Sequence, residues 1–211
     1  MASTSAANLF SRAWAMSPSL GQLRTKESAA QGLSLFLKAA NAEHLSQLEK
    51  STTEEILEAQ NKMLLDISNW NQGFSPTADG NILPLDIVGA AASNPVDLVI
   101  GTTRDESRIF NMLNPALNNL DQTQAMEVLR TNHPQRAEAI WSLYKTCYAD
   151  YTPTQIIAAV DSDTHFKLHM WNMLKSRPVE FTNTWSYMFT WASPLYDGAL
   201  GASHGMDIPF I

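Results

Sequence analysis

A short apolar run over residues 96–100 places the strongest constraint on how this chain of 211 residues can fold. The run follows Asn94-Pro95, precedes Gly101 and contains several β-branched residues, which is typical of a fully buried parallel strand. Alternating aromatic side chains predict a second strand over 184–191. Two strands separated by about 80 residues of mostly helical sequence cannot form an independent sheet. The chain is therefore predicted to add its strands to a sheet that other strands complete.

Helical periodicity accounts for most of the remaining sequence. Helices are predicted over 25–40, 42–49, 53–66, 104–113, 122–131, 135–148 and 153–176. Residues 6–16 are also predicted to be helical, because their large apolar side chains fall on or near one helical face. The glycines and prolines of residues 71–86 indicate a loop. The predicted fold class is therefore α/β, mostly helical, with about two strands of a larger parent sheet.

Composition excludes several classes of partner. The formal net charge of −7 opposes binding to a phosphate backbone, so nucleic acid is not an expected partner. No apolar run approaches the roughly 18 residues that a membrane span requires. The single cysteine, Cys147, excludes an intrachain disulfide, and with no signal peptide evident it favours a cytoplasmic location. Residues 1–26 contain two arginines and no acid, which superficially resembles a transit peptide.

Two residues that follow the predicted strands are candidates for catalysis. Glu106 lies just beyond the C-terminal end of the first strand, where catalytic groups collect in α/β sheets. His204 follows the second strand on a loop flanked by glycines. Position alone leaves two simpler interpretations open: Glu106 paired with Arg104 or Arg108, and His204 in contact only with solvent. The pair is more informative, because α/β-hydrolases place serine, acid and histidine in that order, each after a strand.

Residues 201–205 formally match the G-x-S-x-G pattern of a nucleophile elbow. That pattern requires a strand immediately before the serine and a helix after it. Here a loop precedes Ser203 and Pro209 interrupts any helix after it, so Ser203 is not predicted to be a nucleophile. His165 and His169 have the i, i+4 spacing of two metal ligands, but their neighbours are apolar and core packing is the simpler interpretation. No metal site or cofactor is predicted.

Some tryptophans are candidates for lining a substrate pocket, among them Trp70, Trp171 and Trp191. Packing in a hydrophobic core is the competing interpretation. Cys147, between Tyr144 and Tyr148, is predicted to be a buried small residue.

Five segments together resemble the type B carboxylesterases. They are residues 7–17, 74–84, 96–110, 163–166 and 201–210. The sequences around Glu106 (Gly-Thr-Thr-Arg-Asp-Glu-Ser) and around His204 (Gly-Ala-Ser-His-Gly) are the most specific. Order and spacing agree with the family essentially from end to end. Three positions depart from its pattern: Pro18 and Ser107 replace glycines, and Asp207 replaces a glutamate.

The resemblance implies an α/β-hydrolase fold in which Glu106 is the acid of a catalytic triad and His204 is the general base. It further implies that Ser17 hydrogen-bonds near the acid. The expected reaction is hydrolysis of a small carboxylic ester through an acyl-serine intermediate, without a cofactor. No residue of this chain corresponds to the nucleophile, because the elbow serine and the oxyanion loop of the family lie upstream of the segment that Met1 begins.

Residues 1–211 are accordingly expected to be the C-terminal part of a single carboxylesterase domain, truncated at both ends and inactive alone. One alternative is half of a split esterase, for which the missing N-terminal half would be the partner. Another is a non-catalytic interaction domain similar to the cholinesterase-like adhesion proteins. Retention of both Glu106 and His204 argues against the non-catalytic alternative.

Overall fold

The computed structural model describes residues 1–6, 8–65 and 74–210. Within them, one sheet contains three parallel strands in the order β1 (Arg12–Met16), β2 (Asp97–Thr103) and β3 (Thr184–Phe189). The central strand β2 pairs with both neighbours, so that Val99 lies between Trp14 and Trp185. The predicted α/β class, mostly helical with few strands, is confirmed.

Helices connect the three strands. Their bounds are α1 (Lys26–Ala39), α2 (Leu45–Leu48), α3 (Thr53–Leu65), α4 (Ile87–Ala92), α5 (Arg108–Leu113), α6 (Gln122–Asn132), α7 (Ala137–Cys147), α8 (Pro153–Ser162) and α9 (Leu168–Ser176). A π-helical turn, Asp163–Lys167, joins α8 to α9, so the helix predicted over 153–176 has an irregular centre. The short helix α4 has no counterpart among the predictions. The predicted loop over 71–86 lies partly outside the described residues.

The prediction of a helix over residues 6–16 is wrong. Residues 12–16 form β1, in which Trp14 and Met16 face one side of the sheet while Ala13 and Ala15 pack on the other. Hydrogen bonding to β2 along the whole strand outweighs the helical propensity of the alanines, because propensity is a weak preference that tertiary pairing overrides.

Only one face of the sheet is covered by helices in the described residues. Leu98 and Ile100 of β2 are buried beneath α4 and α9, together with Met170 and Met173. On the opposite face, Trp14 and Trp185 are 54% and 56% exposed. Parallel sheets are normally covered on both sides. The exposed tryptophan face therefore presents the kind of apolar surface that further chain covers in a complete α/β domain.

Two helical units pack beside the sheet. Helices α6, α7 and α8 enclose an apolar core that includes Leu129 and Ile157, and α1 packs against α3 around Phe36. Thr25 caps α1. Cys147 is exposed, so the prediction that it is buried is wrong: it is the last residue of α7, beyond Tyr144, which packs against the core. No helix of the described residues is both long enough and apolar enough to span a membrane.

Candidate active site

Glu106 lies in the turn after β2 and its side chain is completely buried. Its carboxylate accepts three hydrogen bonds. Oε1 accepts from the backbone N–H of Thr103 at 2.7 Å and from the hydroxyl of Ser17 at 2.5 Å. Oε2 lies 2.7 Å from Nδ1 of His204. A buried carboxylate needs such partners to remain ionised, and these three hold it in one orientation.

His204 lies on the loop that follows β3 and the short helical turn Leu195–Gly198. Its backbone N–H donates to the carbonyl of Glu106 at 3.2 Å, so main chain and side chain both contact the acid. The rings of Phe110 and Phe166 lie 5.3 and 5.4 Å from the imidazole ring. The histidine side chain is 38% exposed. The imidazole is thus fixed on its Nδ1 side and open elsewhere.

The hydrogen bond from Glu106 raises the pKa of His204 above its ordinary value. Partial burial opposes this effect, and the charges of Glu106 and Asp207 add to it. When the ring is neutral, a proton on Nδ1 that is donated to the carboxylate leaves Nε2 without a proton. Nε2 is therefore the basic nitrogen, and it can accept a proton from a group in the pocket.

Ser17 reaches Glu106 from the end of β1. Its backbone has a left-handed conformation, with φ of 47°, and its N–H donates to the carbonyl of Gly101 at 2.8 Å. This turn directs the buried hydroxyl at the carboxylate. Pro18, which replaces a glycine of the family pattern, does not prevent the contact.

A pocket of 430 Å³ opens beside the imidazole. Its described lining residues are Ser17, Ser19, Gln22, Leu64, Ser107, Phe110, Asn114, His165, Phe166 and His204. Burial lowers the pKa of His165 to about 4, and the charges of His133 and His169 act in the same direction. His165 is thus a neutral polar group in this pocket at neutral pH. The pocket combines apolar walls with a few polar atoms, as small-molecule sites do.

The other sequence candidates lie apart from this arrangement. Ser203 is fully buried, and its hydroxyl has no hydrogen-bond partner among the described residues, so it is not accessible to a substrate. Within the described ranges, no group of three or more His, Cys, Asp or Glu side chains could hold a metal ion. Trp171 and Trp191 are 44% and 52% exposed and are not among the described lining residues. Trp70 lies outside the described residues.

Several contacts that support the site were not predicted. Arg104 and Arg108, the partners of Glu106 in the simpler interpretation of its position, pair instead with the neighbouring Asp105. The hydroxyl of Ser162 on α8 accepts from the backbone N–H of Ser107 at 2.9 Å, which ties the acid turn to that helix. Asp105 and Glu106 are both buried, but Asp105 contacts the arginines whereas Glu106 contacts His204.

The hydroxyl of Tyr187 on β3 donates to Asp207 at 2.8 Å. The ring of Tyr187 lies against Gly101 of β2, where a Cβ atom would be only 2.2 Å from it. Gly101 therefore provides space for the ring of Tyr187. The hydroxyl of this ring in turn holds the carboxylate of Asp207, which lies three residues after His204.

The carboxylesterase family model matches residues 1–211, which is the whole chain. The chain belongs to the carboxylesterase family. The family resemblance proposed from sequence is confirmed.

Two curated carboxylesterase relatives match almost the entire chain. The phenmedipham hydrolase of Pseudarthrobacter oxydans is 27% identical over 214 residues, which cover 97% of this chain and 42% of that protein. The para-nitrobenzyl esterase of Bacillus subtilis is 25% identical over 228 residues, which cover 100% of this chain and 42% of that protein. The chain thus spans about two fifths of the length of these relatives.

A solved structure gives the same picture of the fold. The carboxylesterase EST55 of Geobacillus stearothermophilus, in its crystal structure at pH 6.2, superimposes with a TM-score of 0.75 and 21% sequence identity. The match covers 100% of this chain and 43% of that one. The described helices and parallel strands are therefore part of the carboxylesterase fold.

Proposed function

We propose that this chain supplies the acid and the base of a serine carboxylesterase, with Glu106 as the acid and His204 as the base. The observation that carries the proposal is the 2.7 Å contact between Oε2 of Glu106 and Nδ1 of His204. The carboxylate is fully buried, whereas the imidazole borders a pocket. Burial of the acid and access to the base are what a catalytic acid–histidine pair requires.

His204 would accept the hydroxyl proton of a nucleophilic serine at Nε2 as the oxygen attacks the ester carbonyl. The same nitrogen would then protonate the departing alcohol and later activate water to hydrolyse the acyl-serine. Glu106 would keep the proton on Nδ1 and stabilise the imidazolium. Ser17 would orient the carboxylate through Oε1. The neutral wall formed by Phe110 and Phe166 suits an uncharged ester.

The nucleophile and the oxyanion donors are proposed to come from polypeptide beyond the described residues. Ser203 is buried and is therefore not proposed as the nucleophile. Within the described ranges, β1 pairs only with β2, so its other edge is free to accept a strand. Ser17 at the end of β1 already reaches the acid. A parallel strand paired with that edge would place a serine that follows it at the same end of the sheet as Glu106 and His204.

The open sheet favours half of a split or larger esterase domain over a free-standing interaction module. Trp14 and Trp185 are exposed on one face, and within the described ranges the outer edges of β1 and β3 pair with no further strand. Both features support a surface that further esterase sequence covers. The chain alone is proposed to be inactive, because a single oxyanion donor is worth about 3–4 kcal/mol of transition-state stabilisation and the nucleophile is essential.

The test uses p-nitrophenyl acetate and an organophosphonate probe on two samples. One sample is the 211-residue chain, and the other is the chain extended upstream by its own coding sequence. Labelling and turnover only in the extended sample, abolished by His204→Ala, would support the proposal. Labelling of the shorter chain would place the nucleophile within it and contradict the proposal. Labelling of neither sample would favour the non-catalytic alternative.

A further inference from the structure

The carboxylate of Asp105 is shared between the acid turn and the histidine loop. Only 6% of the residue is exposed. Its Oδ2 accepts from the backbone N–H of Ala202 at 2.9 Å and from Nε and Nη2 of Arg104 at 3.0 and 2.9 Å. Nε of Arg108 lies 3.5 Å from Oδ1. Two guanidinium groups therefore hold the carboxylate while it holds the histidine loop.

Backbone contacts continue the same connection. The N–H of Asp105 donates to the carbonyl of Ala202 at 2.9 Å, and the N–H of His204 donates to the carbonyl of Glu106 at 3.2 Å. Residues 105–106 and 202–204 thus lie side by side. The side chain of Asp105 adds a third contact to the main chain of the histidine loop, and a substitution can remove it without changing Glu106 or His204.

Gly201 is required for this contact. Its backbone has a φ of 56°, and a Cβ atom there would lie 2.4 Å from Oδ2 of Asp105 and 3.0 Å from Nη1 of Arg108. Glycine therefore provides both the left-handed conformation and the space that the carboxylate occupies.

The position of the imidazole depends on its loop. His204 is exposed over 38% of its side chain, and its aromatic neighbours Phe110 and Phe166 lie at centroid distances above 5 Å. The imidazole makes its short contact through Nδ1, which lies 2.7 Å from Oε2 of Glu106. A displacement of about 1 Å at a catalytic group can reduce a rate roughly 100-fold, so the loop must be held as firmly as the acid.

We propose that Asp105 is a positioning residue that acts through Ala202 to place His204 against Glu106. The catalytic purpose of this placement rests on the proposed function. Asp105 does not touch the reacting atoms, since its carboxylate faces Ala202 and the two arginines. Its effect is measurable in the 211-residue chain without catalysis, as the proton affinity of His204.

The experiment is an NMR titration of His204 in the 211-residue chain and three variants. Asp105→Ala removes the contact to Ala202, so the pKa of His204 should fall by about half a unit or more as its bond to Glu106 loosens. Asp105→Asn keeps an oxygen for Ala202 and Arg104 and turns its amide toward Arg108, so it should retain the parent pKa. Asp163→Ala is the matched control.

Asp163 is a suitable control because its carboxylate, like that of Asp105, accepts hydrogen bonds from one cationic side chain and from one neutral donor. Its oxygens accept from Lys167 at 2.8 Å and from Tyr144 at 2.5 Å, away from the histidine loop. Its replacement should leave the pKa of His204 unchanged.

An unchanged pKa in folded Asp105→Ala would overturn the proposal. An equal fall in Asp105→Asn would also overturn it, because charge rather than position would then be responsible. If Asp105→Ala does not fold, Gly201→Ala disturbs the same contact from the other loop and must lower the pKa of His204. Failure of the proposed function would instead appear as a lack of acyl-enzyme with these titrations as expected.

Discussion

Ser17 and Glu106 join two strand ends that lie 89 residues apart in the sequence, through a hydrogen bond of 2.5 Å. The bond occupies Oε1 of the carboxylate and leaves Oε2 to His204. The two oxygens of the carboxylate thus have different partners: the hydroxyl of Ser17 binds Oε1, and the imidazole of His204 lies against Oε2.

Glu106→Gln should lower the pKa of His204 markedly, because the neutral amide lacks the negative charge and offers only a weaker, uncharged acceptor to the imidazole. Partial burial, which acts in the other direction, would then dominate. Asp207→Asn is the control and should cause a smaller fall, since Asp207 is the lesser influence. NMR titration of the histidine measures both. Equal pKa values in the parent and in Glu106→Gln would contradict the arrangement described.

Asp161→Asn should remove a component of the pH dependence of stability. Burial raises the pKa of Asp161 to about 7, and its contact with Asn111 only partly opposes this. A carboxyl with a raised folded pKa adds stability that is complete below its unfolded value, near 4, and is lost as pH rises through the folded value.

The slope cannot exceed about 1.4 kcal/mol per pH unit for one group. Urea unfolding of the parent and of Asp161→Asn between pH 4.5 and 8 measures the difference. His204 contributes to both proteins with the same sign and cancels in the comparison. Parallel curves would show that Asp161 does not titrate in this range.

Arg177→Met should destabilise the chain by about 3 kcal/mol or more, because it leaves buried acceptors without a donor. The guanidinium donates to the carbonyls of Ala92, Asn94 and Val96, and its Nε donates to Thr184 at 2.7 Å. It thereby joins the N-terminal ends of β2 and β3.

Arg130→Met is the matched control for this arginine. Arg130 pairs with Glu138 on the surface, and loss of an exposed ion pair should cost less than about 1 kcal/mol. Urea unfolding of both variants gives the comparison. Similar losses would mean that the contacts of Arg177 to main-chain carbonyls add nothing beyond a surface pair.

Replacement of Trp14 and Trp185 by threonine should reduce self-association of the 211-residue chain. Both side chains are more than half exposed on the uncovered face of the sheet, flanking Val99. Val179→Thr is the control, because Val179 is 94% exposed away from the strands. Sedimentation at several concentrations measures the effect. Equal association of the double variant and the parent would show that this face is not responsible.

Glu106 and His204 could be named as candidates because each follows a segment whose pattern indicates a strand and lies in a motif that resembles the family. The contacts of the neighbouring acid could not be predicted: Asp105 faces Ala202 and two arginines, whereas Glu106 faces the histidine. Both acids lie in one turn, and only the direction of β2 and the position of the loop beyond β3 decide between them. The arginines nearby indicated an ion pair correctly but suggested the wrong acid.

Strand β1 was not predicted because its inward positions are alanines. Ala13 and Ala15 face the packed side of the sheet, so the usual contrast between large apolar and polar residues is absent. Trp14 and Met16 alternate with them, but on the exposed face. A pattern in which the large residues face away from the packed side indicates a strand only if a further layer of the protein covers those residues.

The site unites chain segments that are far apart in sequence, since 98 residues separate Glu106 from His204. Each connection requires closure of a long loop before any hydrogen bond compensates for it, and parallel pairing of this kind slows folding. The imidazole can meet the acid only after both strand pairings have formed. The chemical shift of His204 should therefore report a late step of folding, and its appearance after dilution from denaturant gives the time at which the contact with Glu106 forms.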